Sequence, residues 1–173
     1  MSDRQQSKSE GADKDDWCTP PRVYEPLWET CGIDMDPCAG DYQTLARINI
    51  DEDQDGLTTP WEGVVYCNPP YSEKSRWIER AIDQYQNNRT VEMVFLLLPD
   101  STDVKSWWHG QLAEHSRWTL FYEGRVKFID PVREEQMGSP PHGSALCILG
   151  EPDPQTLRRL SEEGDLVERP RFL

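Results

Sequence analysis

Positive charge is scarce in this chain. Lysine occurs only five times, beside 13 arginines, against 32 aspartates and glutamates, and the formal net charge is −14. Such a surface repels polyanions at ordinary ionic strength. Two readings follow. Either the chain works in high salt, where repulsion is screened and dense carboxylates keep it hydrated, or it does not touch nucleic acid, or mimics it. Paired cysteine is missing too. Cys18, Cys31, Cys38, Cys67 and Cys147 are odd in number and widely spaced, with no C-x-x-C. That argues against a disulfide framework and a zinc site. Cys67 and Cys147 sit in apolar runs and read as small buried hydrophobes.

Several catalytic signatures are absent. There is no P-loop, no G-x-S-x-G and no G-x-G-x-x-G, and the three histidines (His109, His115, His142) show no H-x-x-x-H spacing. Hydrolase and NTPase readings have no support. No apolar run is long enough to span a bilayer. The first 16 residues lack the apolar stretch of a secretory signal, so a cytoplasmic protein is expected. The chain also lacks internal repeats and heptads.

The 173 residues suit one domain with a real core. Residues 1–16 are polar and charged and are expected to be a disordered tail. The domain is expected over 17–150, with a C-terminal helix and fraying tail over 151–173. Val23 to Cys31 has helical spacing, with Pro26 in its first turn and Gly32 as its stop. Short strands are expected at Ile33 to Asp36 and within Leu45 to Ile50. Ser72 reads as the cap of a helix from Glu73 to Gln86. Val91 to Leu98 reads as a central strand buried on both faces. Ser101 to Asp103 starts a helix whose Trp107 and Trp108 read as packing residues. Strands follow at Trp118 to Tyr122, Arg125 to Ile129 and Ser144 to Leu149. This alternation predicts an α/β fold, three-layered and mostly parallel. Its last two strands form an antiparallel edge hairpin tipped by the loop Asp130 to Gly143.

The strongest local signal is Val64-Val65-Tyr66-Cys67-Asn68-Pro69-Pro70-Tyr71-Ser72. A β-branched, apolar strand runs into two prolines that cannot continue a ladder. The chain must turn outward at the strand's carboxyl end, where open α/β sheets bind ligands. The turn offers the Asn68 amide, the Pro69 carbonyl and the Tyr71 ring. Two acceptors beside a flat ring suit a planar group that carries an NH2.

Other stretches are less specific. Asp36-Pro37-Cys38-Ala39-Gly40 reads as an ordinary βα turn or as a small-residue loop that admits a nucleotide-like cofactor. The acidic run from Asp51 to Asp55 is a solvated loop, a set of ribose or adenine contacts, or a cation site. It resembles an EF-hand opening through Asp51, Asp53, Asp55 and Gly56, but Pro60 and Trp61 fall where the exiting helix should begin. No metal is expected. Arg125 and Lys127 alternate with apolar residues and are candidates for phosphate contact.

In order along residues 17 to 149, these pieces resemble the phage-type Dam family of DNA N6-adenine methyltransferases. They are Trp17-x-Thr19-Pro20, Asp36-Pro37-Cys38-Ala39, Asp55-Gly56-Leu57 with Trp61, and Asn68-Pro69-Pro70-Tyr71-Ser72. Leu97-Leu98-Pro99, Thr102-Asp103, Trp107-Trp108 and Gly124-Arg125-Val126-Lys127-Phe128 follow. The resemblance implies a class I, Rossmann-like methyltransferase fold in a minimal version, with one βα unit reduced. It implies S-adenosylmethionine as cofactor and double-stranded DNA as partner. Thr19 and Pro20 would close over the cofactor, lined by Asp36, Pro37, Cys38, Ala39 and Gly40, with Asp55, Gly56 and Leu57 near its adenosine. Asn68 and Pro69 would hold the adenine amine, Tyr71 would stack on the base and Pro70 would stiffen the turn. Arg125, Lys127 and Arg133 would contact DNA. Related turns also serve RNA amines and protein glutamines. An inactive acidic DNA mimic or binding protein of the same fold is the remaining alternative.

Overall fold

The computed structural model describes residues 16–170. Of the tail expected over residues 1–16, all but Asp16 lies outside them. The elements, in chain order, are α1 (Pro21–Thr30), β1 (Met35–Asp36), β2 (Ile48–Asn49), β3 (Gly63–Cys67), α2 (Lys74–Asn87), β4 (Val91–Pro99), a π-helix (Lys105–Leu112), β5 (Trp118–Tyr122), β6 (Ile129–Asp130), β7 (Glu135–Gln136), β8 (Ser144–Leu149), α3 (Pro154–Ser161) and β9 (Gly164–Glu168). Seven strands form one sheet in the order β2-β1-β3-β4-β8-β5-β9, and β6 and β7 form a separate pair. β2, β1, β3 and β4 run parallel, while β8 runs antiparallel to both β4 and β5, and β9 runs antiparallel to β5.

Alternation along the strands builds the layers. Val65, Cys67, Val94, Leu96 and Cys147 face α2 and the π-helix, where Trp77, Ile78, Ala81 and Trp107 complete one core. Val64, Tyr66, Phe95, Leu97 and Leu146 face the other way, against Val23 and Leu27 of α1 and Leu160 of α3. Helices therefore cover both faces of a mostly parallel sheet, a three-layer α/β architecture of the Rossmann-like kind. From Met93 to Pro99 every residue of β4 is buried, as its unbroken apolar run requires. Cys67 and Cys147 are fully buried in the same core.

Local details depart from the sequence reading. The expected hairpin of Arg125 to Ile129 with Ser144 to Leu149 does not form; β8 pairs antiparallel with β5 instead, and that pair lies inside the sheet. β8 is inserted between β4 and β5, and β9 takes the edge that was expected to fray. Arg125 to Phe128 form no ladder. Val126 and Phe128 alternate into the core, and Ile129 instead bridges to Cys18. The α1 helix begins at Pro21, so Pro26 lies in its interior rather than its first turn. Gly32, at φ 74°, closes that helix by donating to Leu27 O. Neither Ser72 nor Glu73 caps α2 with its side chain. The expected helix after Ser101 begins at Lys105 and is wound wide, with His109 N–H donating to Val104 O and Ala113 N–H to Trp108 O. Gly110 permits this, because a Cβ there would lie 2.9 Å from Lys105 O.

No helix lies between β1 and β3, so one βα unit is reduced to loops. The connections leave β1 towards β2 on one side and β3 on the other. The carboxyl ends of β1 and β3 thus meet at the point where strand order reverses, and ligands of open α/β sheets bind at such a crevice.

Candidate active site

Asn68 follows the last residue of β3, and the two prolines turn the chain over the crevice. Among the described residues neither the Asn68 amide nor the Pro69 carbonyl has a hydrogen-bond partner. Pro70 O accepts from Glu73 N–H, and Lys74 Nζ donates to Tyr71 O at 2.9 Å while lying over the Trp107 ring. The turn is thus tied at its far end and free at its acceptors. The Tyr71 ring meets the edge of His142, with centroids 5.4 Å apart at 62°. Its hydroxyl is buried without a partner among the described residues, and burial pushes its pKa up.

A cleft of about 660 Å³ opens beside this turn. Asn68 to Ser72 form one wall, Met137 to His142 the other, and Trp17 and Phe128 close the space between them. Behind it lies a pocket of about 30 Å³, bordered by Thr19, Asp36, Cys38, Gly40, Gln43 and Tyr66, together with Trp17 and Asn68. Its roof is a strap, residues 16–20. Cys18 exchanges two backbone bonds with Ile129, at 2.9 and 3.0 Å. Thr19 N–H donates to Gln43 Oε1 at 2.8 Å, and Gln43 Nε2 donates to Thr19 O at 2.9 Å. The Thr19 and Tyr66 hydroxyls pair at 3.0 Å.

Asp36 is the electrostatic centre of this pocket. Its carboxylate accepts Cys38 N–H at 3.0 Å and has no cationic partner among the described residues. Burial raises its pKa to about 7, against the opposing pull of that N–H. A buried carboxylate with nothing to neutralise it suits a cationic ligand.

Clustered at this crevice are Thr19, Asp36, Cys38, Gly40, Asn68, Pro69, Pro70 and Tyr71. Pro20 serves as the N-cap of α1. Pro37, Ala39, Asp55, Gly56 and Leu57 border neither cavity. Gly56 instead buttresses the β1 turn from outside: a Cβ there would fall 1.8 Å from Pro37 O. Asp55 turns its carboxylate back onto Leu57 N–H and the Thr58 hydroxyl. Arg125 and Lys127 are exposed and unpaired among the described residues, on the strand-like segment that ends in the cleft residue Phe128. Arg133 lies 3.9 Å from both Asp130 and Glu135. No three His, Cys, Asp or Glu side chains form a metal-sized cluster among the described residues. No helix of the described residues is long and apolar enough to cross a membrane.

Residues 6–168 match the family model described as DNA N-6-adenine-methyltransferase (Dam). The chain belongs to the Dam family. Over 130 residues it is 31% identical to the DNA N-6-adenine-methyltransferase of Haemophilus phage HP1 (strain HP1c1), covering 72% of each chain. The crystal structure of the 23S rRNA methyltransferase ErmE aligns at 16% identity with a TM-score of 0.38, over 78% of this chain and 51% of that one, so this chain spans about half its length.

Within this Dam-family chain, sequence reasoning did not find Gln43, Tyr66 or the wall residues Met137 and His142 individually. Gln43 carries no motif, and its role arises from a clamp across 24 positions. Tyr66 reads as one more apolar strand residue until its hydroxyl meets Thr19.

Proposed function

We propose that this protein transfers the methyl group of S-adenosylmethionine to N6 of an adenine flipped out of double-stranded DNA. The observation that carries this reading is the placement of two free acceptors, Asn68 Oδ1 and Pro69 O, where the large cleft joins the pocket that holds Asp36, in a chain of the Dam family. The cofactor carries a sulfonium and an ammonium, and the lone Asp36 carboxylate suits that charge. When bound, it supplies an already activated methyl group.

The chain's own contribution is positioning. The adenine amine is a poor nucleophile because its lone pair is delocalised into the ring. Asn68 Oδ1 and Pro69 O accept its two hydrogens and draw the nitrogen towards a pyramidal shape, freeing the lone pair on the side of the small pocket. Asn68 is a neutral amide and no strong base, so the surplus proton leaves to water after transfer. Tyr71 stacks on the base, and the prolines hold the acceptors rigid. A paired adenine cannot reach these groups inside the duplex, so the base must leave the stack. The cleft, at about 660 Å³, has room for it.

Tritiated S-adenosylmethionine and unmethylated duplex DNA, incubated from low to multimolar salt, test this reading. Label is expected in N6-methyladenine, and Asn68→Ala is expected to abolish it while cofactor binding persists. Cofactor binding without label in DNA adenine at any salt concentration would overturn the reading. Label in RNA or in glutamine would redirect it.

A further inference from the structure

On the function proposed above, the Tyr71 ring is the platform on which the flipped base stacks. What holds that ring therefore decides how well the base is held. Tyr71 lines the cleft and keeps part of its surface exposed. Its hydroxyl makes no hydrogen bond among the described residues, so no polar contact fixes the ring. Lys74 holds the Tyr71 carbonyl, which secures the backbone and leaves the side chain to packing. Among the described residues one aromatic ring meets it, that of His142, with centroids 5.4 Å apart at 62°.

His142 is itself anchored. A carbonyl can only accept, so Nδ1 carries the hydrogen and donates to Gly143 O at 2.9 Å. Gly143 O also accepts Asp100 N–H at 3.1 Å, and a Cβ on Gly143 would run into the Asp100 carboxylate. Ser144 then enters the sheet opposite Pro99. A brace thus runs from the end of β4 through Gly143 and the imidazole to the Tyr71 ring. It ties together the two walls of the cleft, Asn68 to Ser72 and Met137 to His142.

This contact leaves room for a base. Edge-to-face packing takes up at most one face of the Tyr71 ring, and the other remains for stacking. A platform held before the base arrives loses less freedom when the base stacks on it. We infer that His142 is a positioning residue, which holds the Tyr71 ring as a preformed platform for the flipped adenine. The imidazole does this better than a plain ring, because its Nδ1–H fixes the plane in which it meets Tyr71.

Three variants separate the parts of this brace. His142→Phe keeps a ring and gives up the hydrogen bond. His142→Gln keeps a donor and gives up the ring, and His142→Ala gives up both. The alanine and glutamine variants are expected to lower kcat/KM on duplex DNA about fivefold, with the S-adenosylmethionine Kd unchanged, and phenylalanine is expected to recover most of the loss. The loss is also expected to disappear without Tyr71: His142→Ala should cost a Tyr71→Leu chain nothing further, in kcat/KM or in duplex Kd. Wild-type kcat/KM in His142→Ala would overturn the inference. So would a glutamine variant as active as the phenylalanine one, or an alanine cost that is the same with and without Tyr71. If His142→Ala fails to fold, the comparison of phenylalanine with glutamine decides. A wild-type chain that binds cofactor yet labels no adenine overturns the proposed function, on which this inference rests. An active chain indifferent to His142 overturns only this inference.

Discussion

The Gln43 side-chain amide grips the Thr19 backbone from both sides, accepting its N–H at 2.8 Å and donating to its carbonyl at 2.9 Å. This is the latch of the strap over the Asp36 pocket. The space beneath holds about 30 Å³, room for little more than one water. On the proposed function, a cofactor should enter only if the strap yields, and a strap that closes again should retain it. Gln43→Ala leaves both Thr19 backbone groups unpaired in the closed state, and two such losses sum to about 1–3 kcal/mol. S-adenosylmethionine affinity is expected to fall about tenfold or more, chiefly through faster release. Stopped-flow dissociation measures this directly. An unchanged release rate would show that the strap does not retain the cofactor.

On the proposed function, Asp36 should make that affinity depend on pH. Its pKa stands at about 7 in the folded chain and ordinarily lies at 3.8, because burial penalises the charged form. The group's contribution to stability is present below pH 3.8, declines as pH rises towards about 7, and is flat above that. Cofactor binding has the opposite sign, since a cation selects the ionised carboxylate. Affinity is expected to climb with pH, by up to about tenfold per unit, and to level off above about 7. Asp36→Asn should bind weakly at every pH and melt higher than wild type at alkaline pH. Calorimetric titrations and thermal melts across pH check both, and a wild-type affinity independent of pH would refute the role given to Asp36.

How far all this was legible in the sequence depended on the range of the interactions. The Asn68 turn could be read because its cause is local: two prolines stop a β-branched strand, and an open α/β fold places strand ends at a crevice. The Val91 to Pro99 strand was equally plain, since an unbroken apolar run has no face to expose. The strap was visible only as a motif, because its meaning lies in pairings with Gln43, Tyr66 and Ile129, far along the chain. Arg125 to Ile129 misled for a related reason. Its alternation records burial of Val126 and Phe128, and burial alone does not distinguish a ladder strand from an extended segment packed on the sheet. The edge strand β9 was hidden because only Leu166 of it packs inward against the core.

Gly56 shows a residue near the site acting from behind it. Its missing side chain lets the Asp51 to Leu57 loop lie against the turn that carries Asp36, and Trp61 Nε1 donates to Gly56 O at 2.8 Å. Gly56→Ala must push the loop backbone away from the turn backbone, a relaxation no rotamer change can supply. Overpacking of this sort costs about 1–3 kcal/mol, which for a domain of this size lowers the thermal midpoint by roughly 2–10 °C. Because the displaced partner is Pro37, next to Asp36, cofactor affinity should weaken in the same variant. A melt within one degree of wild type would mean that the loop shifts freely.

Arg125 and Lys127 carry the burden set by a net charge of −14. Val126 and Phe128 turn into the core on either side of Lys127, so Arg125 and Lys127 point outward along the segment that leads to the cleft. They have no carboxylate partner among the described residues. Arg133, facing Asp130 and Glu135, is largely neutralised. The first two are thus the expected phosphate contacts, and the third contributes less. Each phosphate contact adds about 0.9 to the magnitude of the slope of log affinity against log salt. Replacing Arg125 and Lys127 together by alanine should reduce that slope by about 2 and weaken duplex binding most at low salt. Arg133→Ala should change the slope by less than about 1. Fluorescence anisotropy of a labelled duplex over a salt series measures all three, with cofactor affinity as the control. A double variant that keeps the wild-type slope would place the DNA path on another face of the molecule.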